Sequence, residues 1–280
     1  MIKKKPIIIS LLVICAFTLL LVIDLFIIKR DMIKDEELLT NLIQNGYTMF
    51  HYVKPSMFLA YEQLFSHVIV SILMFLPPFI VMFPGLYSIF SIVKSGDIKY
   101  IANFRKKYNK TIKGEIINCY KYSFIVPIMY IIIILGCGII TGFNMNLSES
   151  LLDANYYSIS FGNPYILIFC TFINLLLADI FYLNIGLLTM LKTKNIFINI
   201  IFSYLIIVIF GIGAELTGIV IARATGHSVW ANIFNFYNLW HPMDSGNILY
   251  VMLFLVVISI LSTLIVLFKY KNEERVVNNV

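Results

Sequence analysis

Six stretches of the chain are apolar over enough residues to cross a lipid bilayer, and no other feature narrows the fold so far. They run from about 6 to 28, 67 to 93, 122 to 143, 165 to 191, 196 to 222 and 248 to 268. A helix rises about 1.5 Å per residue, so roughly 20 apolar residues cover a hydrocarbon core of about 30 Å. Within that core no water reaches the backbone N–H and C=O groups, and a helix satisfies them internally. The expected fold is all-α: a polytopic membrane protein with six transmembrane helices, forming a single transmembrane domain over residues 1–280. Composition agrees, since 13% of the residues are charged against about a quarter in soluble domains.

An even number of spans puts both termini on one side, and the basic residues indicate which. The connection 94–121 holds eight of the 21 Lys and Arg residues, namely Lys94, Lys99, Arg105, Lys106, Lys107, Lys110, Lys113 and Lys121. With Lys3, Lys4, Lys5, Lys192, Lys194, Lys269, Lys271 and Arg275 they make 16 basic residues on one face, against 5 on the other. Short loops rich in Lys and Arg stay in the cytoplasm, so both termini are expected there. Anionic headgroups of the lipid bilayer account for this charge, and no nucleic acid partner is expected. Cys15, Cys119, Cys137 and Cys170 lie in or beside apolar runs, with no CxxC, so neither a disulfide framework nor a zinc site is indicated. The basic, then apolar, N-terminus reads as an uncleaved first span, because no small-residue cleavage site follows it before Lys29.

Local features refine this layout. Pro77, Pro78 and Pro84 remove backbone donors from the second span and are expected to kink it. In the basic connection, Ile98, Ile101 and Ala102, then Ile112 and Ile116, fall at helical spacing. Two short amphipathic helices at the membrane surface are expected, broken at Lys106 to Lys110. Gly136, Gly138 and Gly142 suit close helix packing in the third span. Only Lys192 to Asn195 joins the fourth and fifth spans, which makes them an antiparallel hairpin. The outer segment 223–247 mixes Trp230, Phe234, Phe236, Tyr237 and Trp240 with polar residues, a composition suited to the membrane interface.

The chain carries no phosphate-binding GxxxxGK[ST] loop, so it cannot hydrolyse ATP by that route alone. HExxH and GxSxG are absent too, and no Cys/His pair stands at metal-ligand spacing. No catalytic residue and no metal site is assigned. Three acids stand within or near spans, Asp24, Asp179 and Glu215, and intramembrane acids usually face a protein interior or a polar path. Asp179 lies deepest. With Asn174 and Asn184 nearby it fits either an interhelical polar contact or a transport pathway.

The order of parts resembles the membrane subunit of bacterial type 2 ABC exporters: six spans, a basic helical segment after the second, a tight hairpin after the fourth, and an aromatic outer segment before the sixth. Locally, Ser95-Gly96-Asp97-Ile98-Lys99 followed by Arg105 and Lys113 is similar to the family's coupling segment, and the run from Asn163 to Asn195 to its fourth span and Lys-Asn turn. The resemblance implies a permease whose segment 94–121 docks on a separate ABC ATPase subunit through Gly96, Asp97, Arg105, Lys106 and Lys113. ATP and Mg would be bound by that partner, with no cofactor on this chain. It further implies a second permease copy or paralogue, a place in the bacterial cell membrane, and export of an amphipathic peptide or antibiotic. Two features depart from the family pattern: only Met1 to Pro6 precede the first span, and Ile92, Val93 and Lys94 stand where a Glu is common. The alternative reading is a non-transporting membrane protein that binds or sequesters a toxic peptide.

Overall fold

The computed structural model describes residues 22–30, 33, 34, 36, 40, 57, 58, 60, 76–94, 105–145, 164–235 and 248–271. Residues 22–30 are helical. The main elements are α1 (Pro77–Lys94), α2 (Arg105–Tyr120), a 3₁₀ turn (Lys121–Phe124), α3 (Ile125–Thr141), α4 (Pro164–Met190), α5 (Ile196–Thr225), α6 (Val229–Ile233) and α7 (Ile248–Lys271). No strand occurs among the described residues. Five helical stretches are long and apolar enough to span a bilayer, at Pro77–Lys94, Lys110–Thr141, Tyr165–Met190, Ile196–Thr225 and Leu249–Lys271. The chain is thus an all-helical, multi-pass membrane protein. Most of the expected first span, the loop 95–104, the segment 236–247 and both termini lie outside the described residues.

Each helix end has a local cause. Pro77 and Pro78 occupy the first turn of α1, where a missing N–H breaks no helical bond, and Leu76 accepts from the N–H groups of Phe79 and Ile80. They open α1, in which only Pro84 is interior; residues 67–75, on the other side of the expected kink, lie outside the described residues. α3 ends at Gly142, whose φ of 64° suits a residue without Cβ. Phe143 follows with φ 57° and folds its ring back over Gly138. Asn195 caps α5 by accepting from the N–H of Phe197 at 2.8 Å, after the short turn that the sequence predicts.

The expected break at Lys106 to Lys110 does not occur. α2 runs unbroken from Arg105, and the 3₁₀ turn carries the chain directly into α3. Tyr108, Ile112, Ile116 and Cys119 recur at helical spacing and are buried in one cluster with residues of α1, α4, α5 and α7. This helix is built into the bundle; it does not lie beside it.

α4 is the central element and packs against α1, α3, α5 and α7. Its approach to α1 uses a reciprocal pair of glycines. Leu183 of α4 sits on Gly85 of α1, and Leu86 of α1 sits on Gly186 of α4. The outer surface is apolar, with Ile139, Ile209 and Phe268 exposing 71%, 69% and 73% of their area. In water such a surface would drive aggregation, whereas in lipid it meets a matching solvent.

Candidate functional site

Two features distinguish this bundle from a purely apolar one: a basic end organised by α2, and a line of buried polar side chains along α4. At the basic end, Lys94 closes α1 within electrostatic reach of Lys194 in the α4–α5 turn. Tyr108 of α2 donates its hydroxyl to the carbonyl of Tyr270 at 3.1 Å, and Tyr270 donates to the carbonyl of Leu187 at 2.7 Å. Ser88 of α1 donates to the Glu115 carboxylate at 3.0 Å. These bonds gather α1, α2, α4 and α7 at one end and leave Lys110, Lys113 and Lys121 exposed there.

The line along α4 contains two hydrogen-bonded networks. Asn184, fully buried, accepts from the Tyr120 hydroxyl at 2.5 Å. Its amide donates to Ser262 and Thr263 of α7, each at 2.9 Å. Ser259 of α7 donates to the Leu177 carbonyl at 2.8 Å. One asparagine thereby joins α2, α4 and α7, with its amide nitrogen and its oxygen both engaged by helix neighbours. Nearer the turn, the Thr189 hydroxyl lies 2.8 Å from Asn199 Oδ1 and 2.6 Å from the Ser203 hydroxyl. Thr193 donates to the same Asn199 oxygen at 3.0 Å, and the Asn199 amide donates to the Gly186 carbonyl at 3.1 Å. This second network fastens α4 to α5.

Asp179 differs from both. It is 1% exposed, its carboxyl hydrogen-bonds to the backbone of Val126 at the start of α3, and its Oδ2 has no partner among the described residues. Asn184 does not reach it, because five residues along a helix turn the side chain to another face. Asp179 makes its interhelical contact with α3, through the backbone of Val126.

The remaining candidates fall as follows. Gly96 and Asp97 lie outside the described residues. Arg105 and Lys106 form the first turn of α2, and Lys113 stands exposed two turns on. Asp24 is 6% exposed and faces the protein interior, one of the settings expected of an acid within a span. Glu215 is half-buried on α5. Sequence reasoning passed over Tyr120, Thr189, Asn199, Ser203, Ser259 and Ser262. Isolated polar residues in long apolar runs were the available signal, but their partners are set by helix register.

Compared with models of known protein families, with curated proteins and with solved structures, the chain matches none.

Proposed function

We propose that this chain is the permease subunit of an ATP-driven ABC exporter in a bacterial cell membrane, with α2 as the helix on which a separate ATPase subunit docks. The observation that carries this reading is how α2 is held. One face, Tyr108, Ile112, Ile116 and Cys119, is buried in the bundle, while Lys110 and Lys113 point outward from the other. A partner bound to the basic face can thus move α1, α4 and α7 through packed contacts, and α3 through the unbroken turn at Lys121–Phe124. Short basic segments lie in the cytoplasm, where an ATPase carrying ATP and Mg would meet them.

In this reading a second permease copy or paralogue completes the transporter, and the cargo is an amphipathic peptide or antibiotic. Both follow from the resemblance of layout. The test is affinity purification in mild detergent, comparing the native chain with a variant carrying Arg105→Glu, Lys106→Glu and Lys113→Glu. An ATP-binding subunit should co-purify with the native chain and be lost from the variant, whose thermal unfolding should stay unchanged because these residues begin or face outward from α2. Absence of an ATPase from both preparations removes the energy source and leaves the sequestering protein.

A further inference from the structure

Asp179 lies near the middle of α4, buried to 1% exposure, and its Oδ2 has no hydrogen-bond partner among the described residues. The carboxyl meets only the backbone of Val126, in the first turn of α3. Asn184, farther along the same helix, has both its oxygen and its nitrogen engaged by neighbouring helices. An ionised carboxylate offers about four lone-pair sites to donors. One backbone contact replaces little of the water that such a group loses on burial.

No counter-charge makes up the difference. Among the described residues, no Lys, Arg, His or second carboxylate acts on Asp179. Tyr182, one turn on along α4, lies within its electrostatic reach, and Tyr204 of α5 lies within reach of Tyr182. The other spanning helices packed on α4 are α1, α3 and α7. α1 carries Tyr87, α3 carries Tyr130 and Cys137, and α7 has no titratable side chain between Tyr250 and Lys269. α2 turns its acid, Glu115, to Ser88 of α1. In the 3₁₀ turn, beside Tyr122, Lys121 is exposed and donates to Asn118 at 2.9 Å. None of these side chains sets a positive charge against the carboxyl.

We propose that Asp179 is a proton-binding site, whose carboxyl takes up a proton on Oδ2 when α3 packs on α4 and gives it up when the two helices separate. A carboxylate buried without a positive partner is strongly disfavoured and neutralises instead. The neutral carboxyl keeps its contact with Val126 through one oxygen and carries the proton on the other. Separation of α3 from α4 removes that contact and admits water, which solvates the charge. Among the described residues no group of His, Cys, Asp and Glu could hold a metal ion, and a hard cation takes a shell of several oxygens, so the ligand is a proton. Ionisable residues at this depth in a membrane commonly serve proton relays. The inference does not rest on an ATPase docking to α2.

In the unfolded chain an Asp carboxyl loses its proton near pH ~3.9. Above that value only the packed protein binds the proton, so this contribution to stability falls as pH rises. The test compares thermal unfolding of the full chain in nonionic detergent with that of Asp179→Asn, which keeps the side-chain shape, from about pH 5 to about pH 8. The native midpoint minus that of Asp179→Asn should fall by about 3 °C per pH unit, a tenfold change in the folding equilibrium. Infrared difference spectra at neutral pH give a readout without unfolding. Native minus Asp179→Asn should show the C=O stretch of a protonated carboxyl, which Asp179→Glu shifts and Glu215→Gln leaves in place. Carboxylate bands in that difference spectrum, or a midpoint difference that stays constant with pH, overturns the proposal.

Discussion

Replacing Asn184 by leucine keeps a branched side chain of similar outline and removes three hydrogen bonds, from Tyr120 and to Ser262 and Thr263. Side-chain hydrogen bonds between membrane helices contribute about 0.6 kcal/mol each, which sums to roughly 2 kcal/mol. No further penalty is expected. The Ser262 and Thr263 hydroxyls already donate to the Ser259 carbonyl, and the Tyr120 hydroxyl also meets Thr263, so no donor is stranded. In a chain of this size the loss should lower the midpoint of thermal unfolding by about 5 °C. A double-mutant cycle with Tyr120→Phe isolates the shared bond. Tyr120→Phe should cost about 1 kcal/mol in the native background and clearly less beside Asn184→Leu. Equal costs in both backgrounds would show that Asn184 does not hold α2, and the description of that residue as a junction of three helices would fail.

Other perturbations probe the glycine contacts and the second network. A Cβ on Gly186 would collide with Leu86, and one on Gly85 would lie 2.6 Å from Leu183. Gly186→Ala should therefore destabilise by about 1–3 kcal/mol through overpacking, with Leu86→Ala restoring part of the loss in the same unfolding assay. At Gly218 the obstacle is backbone, the Trp230 carbonyl oxygen at 2.7 Å. Gly218→Ala should push α6 away from α5, red-shifting Trp230 emission in a Trp240→Phe background; an unchanged spectrum counts against that contact. Gly142→Ala places a Cβ at φ 64° and should cost about 1 kcal/mol, measured as a lower unfolding midpoint.

The spanning helices were legible because length and apolarity are properties of contiguous sequence. α4 and α5 fall within a few residues of the expected spans, and the hairpin turn follows from the four polar residues between them. The buried faces of Ile112 and Ile116 were legible for the same reason, since helical spacing is local. The polar run Lys106 to Lys110 misled because it was read as a break, although Lys and Arg are good helix formers. Tyr108, fully buried, was hidden among charged neighbours. That Pro77 and Pro78 stand in the first turn of α1 was not legible, because the sequence does not show where along an apolar run a helix begins. Gly85 and Gly186 lie about a hundred residues apart, and only the packing of α1 on α4 makes them a pair.

The polar groups of α4 separate into two kinds, and that division bears on how α2 is joined to the buried Asp179. From Asn184 through Thr189 they are satisfied by α2, α5 and α7, which rigidifies this half because any relative movement would break buried hydrogen bonds. At Thr171 and Asp179 oxygens remain unpartnered among the described residues, so displacement of α3 there sacrifices fewer bonds. The 3₁₀ turn links α2 directly to α3, and Val126, in the first turn of α3, supplies the backbone contact to Asp179. A load applied at Lys113 thus reaches the Asp179 carboxyl along one continuous helical path of 14 residues or fewer from Lys113 to Val126. Ser123→Pro, which interrupts this path at the turn, should lower the midpoint of thermal unfolding by several degrees, while Lys113→Glu on the exposed face leaves it unchanged. An unchanged midpoint in Ser123→Pro would show that the turn does not tie α2 to α3.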